Sequence, residues 1–134
     1  MSTSEDNKRV VLAFAKAIER GDWDSLGGMM TDDATWWVAG STAVSGELPK
    51  ARFIEQGKRL FAQASGPMKF DLISITAEED RVAVEARSNV LFKSGGLYKN
   101  EYHFLFKVCG GKISSGREYM DTLHLSEILR GLNL

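Results

Sequence analysis

The chain carries a single cysteine, Cys109, among its 134 residues. It cannot make an internal disulfide, which points to a reducing compartment. Histidines are nearly as scarce. His103 and His124 have no cysteine or carboxylate at ligand spacing, so no structural or catalytic zinc is expected. Net charge is also lacking: 17 basic and 18 acidic residues leave −1 at pH 7, with no case for nucleic acid or an anionic membrane as partner. No apolar run approaches the length that spans a bilayer. The first residues, Met1-Ser2-Thr3-Ser4-Glu5-Asp6, are polar and acidic and do not read as a secretory signal. A cytoplasmic protein is expected. Gly110-Gly111-Lys112 lacks the serine or threonine and the following helix of a phosphate loop.

What the chain does have is the composition of an ordinary core-forming domain, 43% hydrophobic and 26% charged, read as one domain over residues 1–134. Val10, Val11, Phe14, Ala17 and Ile18 recur at helical spacing, with Ser4 as the cap and Gly21 as the stop. Asp22 caps a short second helix that carries Trp23, Leu26, Met29 and Met30 inward. Thr31-Asp32-Asp33 is turn chemistry before a short strand, Ala34 to Val38. In that strand Trp36 and Val38 share one side, and Trp37 on the other is expected to pack beneath the loop at Gly40. A loop with Gly40, Gly46 and Pro49 leads to a third helix, about Lys50 to Ala64, whose buried stripe includes Phe53, Gly57, Leu60 and Phe61.

Ser65-Gly66-Pro67 breaks that helix, and the period then changes from helical to two. Met68 to Ala77 and Arg81 to Phe92 form a hairpin over Glu78-Glu79-Asp80; a terminal helix gathers Leu125, Ile128 and Leu129. The ribbon from Tyr98 to Thr122 organises the rest. Tyr98, Asn100, Tyr102, Phe104, Phe106 and Val108 form one face, and mostly charged residues form the other. A three-residue loop, Cys109 to Gly111, pairs Tyr102 with Glu118 and Phe104 with Gly116. A two-residue loop would set His103 against Glu118, because a one-residue slip turns every side chain over. The first register keeps the aromatic face together and lays the carboxylate of Glu118 on the apolar side of the sheet.

Helices grouped early and followed by a meander give an α+β class rather than βαβ units. The expected architecture is a cone-shaped barrel, a strongly curved, mostly antiparallel sheet wrapped around the N-terminal helices, in the order ααβαββββα. The open end of such a cone is a default ligand site.

Gly21-Asp22-Trp23, Asp32-Asp33-Ala34, the series Tyr98, Asn100, Tyr102 and Phe104, and Gly111-Lys112-Ile113 followed by Glu118-Tyr119-Met120-Asp121-Thr122 resemble the SnoaL-like domains of the nuclear transport factor 2-like superfamily. The resemblance covers nearly the whole chain. It implies the cone-shaped fold, commonly a homodimer through the outer face of the sheet, and hosts too many activities to fix one. The tyrosine and aspartate of ketosteroid isomerases fall here on Phe14 and Val38, which transfer no proton. The inward positions that serve limonene epoxide hydrolases hold Ala86, Ser88, Trp36 and Val38, and Arg87 and Asn89 lie on the wrong face. The acid proposed as base in SnoaL-type cyclases falls on Glu118.

Two readings follow. In the first, a small cofactor-independent enzyme of isomerase, cyclase, dehydratase or hydrolase type acts on an apolar small molecule. Glu118 is its general base, with a pKa raised by desolvation. Trp36, Val38, Phe53, Ser88, Asn100, Tyr102, Phe104 and Met120 would line its substrate site, with Tyr102, Asn100 and Ser88 orienting a substrate oxygen. In the second, the same fold is a binding or structural dimer without turnover, Glu118 sits at a wet rim, and Trp36 plugs the cone. His103 is expected on the outer face with Glu85, Arg87, Glu101, Leu105, Arg117 and Tyr119. Cys109 is expected in the hairpin turn with no catalytic role.

Overall fold

The computed structural model describes residues 3–133; Met1, Ser2 and Leu134 lie outside them. Helix α1 (Ser4–Arg20) starts one residue earlier than its sequence suggests. Thr3 is the cap, accepting the Asp6 N–H at 3.0 Å, while the Asp6 carboxylate accepts the Thr3 N–H at 3.3 Å. This reciprocal box satisfies two otherwise orphaned donors. The helix stops where expected, at Gly21, whose φ of 69° is the left-handed geometry that glycine adopts without penalty. Asp22 caps α2 (Trp23–Gly28) by accepting the Ser25 N–H. Helix α3 covers Lys50–Ala62, and Asp121 caps α4 (Thr122–Leu129) by accepting two backbone N–H groups.

Six strands form one sheet: β1 (Met30–Val38), β2 (Gly46–Pro49), β3 (Lys69–Glu78), β4 (Arg81–Leu91), β5 (Leu97–Cys109) and β6 (Lys112–Met120). Their order is β2-β1-β6-β5-β4-β3, antiparallel except for the parallel pair β1 and β6. The sheet is curled but not closed, since β2 and β3 remain its edges. Helix α1 packs across β3 to β6 and α3 packs on β1 and β2, so the concave face wraps the helices. The element order is therefore ααββαββββα. The added strand is β2, read from sequence as loop because Gly46 and Pro49 bound only two other residues. Met30 and Thr31-Asp32-Asp33 also belong to β1 rather than to helix and turn.

The β5–β6 ribbon keeps its expected parity by an unexpected route. Its turn is the two residues Gly110 and Gly111, with φ of 58° and 79°, the doubly left-handed geometry that suits a tight hairpin. That turn alone would place His103 opposite Glu118. A bulge intervenes: Val108 pairs with Ile113 but Lys107 pairs with Ser115, leaving Ser114 as an extra residue. Beyond the bulge Phe104 faces Glu118, Phe106 faces Gly116 and Tyr102 faces Met120. Glu118 thus lies on the apolar face, two places from the expected partner. Asp121 has left the ladder to cap α4.

Trp37 corrects another expectation. It does not lie under Gly40 but on the convex face, where the Arg117 guanidinium carbon sits 3.9 Å above its ring and Tyr119 flanks it at 5.1 Å. The Arg117 Nε donates to the Tyr119 hydroxyl at 3.0 Å. His103 is on the same convex face, exposed, opposite Glu85 and Tyr119. Among the described residues no helix is long and apolar enough to cross a membrane.

Candidate active site

The concave face of the sheet and α3 line a cavity of about 160 Å³ that is partly open to solvent. Strand periodicity supplies one wall: Trp36 and Val38 from β1, Phe104 and Tyr102 from β5, and Glu118 from β6 all point inward because they share the pleat's inner face. Helix α3 supplies the other wall through Phe53, Gly57, Leu60 and Phe61, one stripe at helical spacing. Leu125 of α4 also reaches the cavity.

Trp36 is held by β6 at two points. Gly116 is its partner in the parallel register, and a Cβ there would stand 2.2 Å from the indole Cζ3. Only glycine leaves room for the ring. Two residues on, Oε1 of Glu118 accepts the indole N–H at 2.6 Å. The Trp36 ring also stacks on Phe53, centroids 4.3 Å apart and planes 15° from parallel. Gly57 does for Trp23 what Gly116 does for Trp36, since a Cβ there would approach the Trp23 ring to 2.3 Å.

Glu118 retains some surface as a residue because it lines the cavity, yet its carboxyl is surrounded by protein. Desolvation raises its pKa from the ordinary 4.5 to about 7, and the Trp36 hydrogen bond opposes that shift without cancelling it. Oε1 is occupied by Trp36. Oε2 has no hydrogen-bond partner among the described residues and is not sealed off, so it is the oxygen offered to the cavity.

A second polar group faces the same space. Ser88 Oγ donates to the Tyr102 hydroxyl at 3.1 Å, which donates to the Tyr98 hydroxyl at 2.9 Å; Asn100 Nδ2 also donates to Tyr98, at 2.9 Å. Burial pushes both phenols above their ordinary range, so both stay protonated at neutral pH. His124 stacks on Tyr98, centroids 5.4 Å apart, and its Nε2 accepts the Lys99 backbone N–H.

The structure brings together Glu118, Trp36, Val38, Phe53, Tyr102 and Phe104 around the cavity. Ser88 and Asn100 are buried behind the tyrosines and reach the cavity only through them. Met120 pairs with Tyr102 on the ladder and lies off the cavity wall. Sequence reasoning passed over Tyr98 as a site residue, although its place in the alternation with Asn100 and Tyr102 was the available signal. It also passed over the hydrophobic wall of Phe70, Val90 and Phe92, which needs the curl of the sheet to become a wall. No cluster of potential metal ligands occurs among the described residues.

An open, curled, mostly antiparallel sheet wrapped on N-terminal helices around a cavity defines an α+β protein of the nuclear transport factor 2-like fold. Residues 11–116 match the model of the SnoaL-like domain, and the chain belongs to that family. An NTF2-like protein from Anabaena variabilis ATCC 29413 superposes with a TM-score of 0.76 at 29% identity, covering 90% of this chain and 94% of the other. Bal32a, from a soil-derived mobile gene cassette, superposes at 0.82 with 22% identity, over 92% and 96% of the two chains. An LEH-like epoxide hydrolase from M. tuberculosis superposes at 0.73 with 18% identity, over 96% and 90%. Identities that low in the last two show a shared fold alone. No curated protein sequence matches significantly.

Proposed function

We propose that the chain is a small acid–base enzyme in which Glu118 is the general base toward an acidic C–H of an apolar, carbonyl-bearing molecule held in the cavity. One observation carries this reading: a desolvated carboxyl has one oxygen fixed by Trp36 and the other open to an apolar space. A carboxyl with a pKa near 7 both takes and returns a proton at neutral pH, which an exposed glutamate does poorly. In the forward step Oε2 removes the proton α to the carbonyl and the C–H electron pair moves into the enolate, whose charge rests on oxygen. Reprotonation at carbon returns the proton from Glu118. The Trp36 hydrogen bond orients the carboxyl and leaves its second oxygen as the reactive one.

Incubation with one- to three-ring cyclic ketones in D2O, followed by proton NMR, tests the reading. Deuterium incorporation at the α carbon, rising with pH through about 7 and lost in Glu118→Gln, is the expected result. No incorporation above the buffer rate with any ketone would leave a binding module of the same fold.

We further propose that two copies associate through the convex sheet face. That face carries charges of both signs in register, with Arg87 on Glu101 at 3.0 Å, beside the half-exposed Tyr119. Such a pattern is self-complementary across a two-fold axis.

A further inference from the structure

We propose that the cavity is shaped for a single-ring molecule that carries no negative charge and bears one accepting oxygen, and that the Tyr98 hydroxyl donates to that oxygen. The inference rests on the cavity being the ligand site, as in the reading above, but not on catalysis.

Size comes first. A volume of about 160 Å³ is close to the roughly 150 Å³ apolar cavity that accommodates one benzene molecule. On one side the space is walled by Trp36 and Phe53, which are stacked on each other with Phe14 and Gly116 against the indole, so it does not widen there for a second fused ring. Charge is next. The wall contains no lysine, arginine or histidine, so nothing neutralises an anion.

The accepting oxygen follows from hydrogen-bond accounting. Asn100 Oδ1 accepts the backbone N–H groups of Glu101 and Asp121, at 2.9 and 3.0 Å, and these can only donate. The orientation of its amide is thereby fixed, and Nδ2 must donate to the Asp121 carbonyl at 3.0 Å and to the Tyr98 oxygen. The Tyr98 oxygen receives a second bond from Tyr102, which itself receives one from Ser88. With both lone-pair directions filled, Tyr98 can only donate, and its own proton has no acceptor among the described residues. Tyr98 lines the cavity, so a ligand oxygen is the acceptor that completes the chain. Asn100 is the positioning residue: it sets the direction of that proton without touching the ligand.

The test is a binding comparison by calorimetry with four probes: cyclohexanone, benzene, 1-decalone and tetramethylammonium. Wild-type protein is expected to prefer cyclohexanone over benzene by about fivefold, the worth of one net hydrogen bond. Cyclohexanone should also bind better than the two-ring ketone. In Tyr98→Phe, which keeps the ring against His124, the ketone preference should vanish while benzene affinity stays; retained benzene binding shows that the cavity is intact. The wild-type ranking decides the matter alone should the variant not fold. Equal or tighter binding of 1-decalone, no preference for the ketone, tightest binding of tetramethylammonium, or no binding of any probe would each overturn the inference. Selective binding without deuterium exchange would remove only the catalytic reading; exchange of a two-ring ketone without the expected selectivity would remove only this one.

Discussion

The indole of Trp36 and the carboxyl of Glu118 meet at 2.6 Å across the parallel pair β1 and β6. The contact depends on one strand doing two jobs two residues apart. Gly116 vacates the space that the ring occupies, and Glu118 accepts the N–H that the ring would otherwise bury unpaired. A buried donor without a partner costs about 1–3 kcal/mol, so the acid is tied to the packing as well as to the cavity.

Glu118 should make the protein less stable as pH rises. Its folded pKa of about 7 lies above the unfolded value near 4.5, so between them the folded state binds more protons than the unfolded state. Stability therefore falls through that interval and levels off above about 7. The upper bound on the change is about 3 kcal/mol. Urea unfolding of wild type and Glu118→Gln at pH 5 and pH 8 should show the variant gaining on wild type at the higher pH. A difference independent of pH would mean that the carboxyl is solvated.

Gly116→Ala should lower stability by about 1–3 kcal/mol, because the new methyl group falls on the Trp36 ring. Gly57→Ala should do the same through Trp23. Gly28→Ala is the control: it is exposed in α2 with nothing within 4 Å, and should be stabilising by about 0.5 kcal/mol. Thermal unfolding of the three variants separates packing from backbone entropy.

Asn7 is buried in α1 and its Nδ2 donates to the Glu79 carbonyl at 3.1 Å, pinning the β3–β4 turn from 72 residues away. Asn7→Ala should cost about 1 kcal/mol and speed amide exchange in that turn. Glu79 has a φ of 57°, the sole positive value outside glycine among the described residues. Glu79→Gly should therefore stabilise by about 0.5–1 kcal/mol in denaturant unfolding.

Light scattering at micromolar concentration should give the mass of two chains. Arg117→Glu should shift it toward one, since it removes the guanidinium from Trp37 and Tyr119 and unbalances the charges of the convex face. A single-chain mass for wild type would rule out the proposed association.

Much of this fold is written in local patterns. The stop at Gly21, the cap at Asp22 and the alternation of β4 and β5 are each decided by neighbouring residues, and each is found where its pattern puts it. Glu118 on the inner face was legible for a subtler reason. The aromatic face of β5 demands a matching inner face on β6, and the Ser114 bulge supplies it, although no residue of the turn announces a bulge. What stayed hidden depends on residues far apart in the chain. Strand β2 is an edge of four residues that exists because β1 offers it a ladder, and Trp37 finds Arg117 only once β1 and β6 run parallel. The same holds for the cavity. Ser88 and Asn100 have the inward parity expected of them, but the tyrosines stand in front of them.

The seat of Trp36 also constrains how this chain can drift. A larger residue at 116 has nowhere to go while the indole is in place, and a smaller residue at 36 leaves a void beside Phe53 and an acid without its donor. Positions 36, 116 and 118 should therefore change together in descendants of this sequence, as an inherited block rather than as three independent sites.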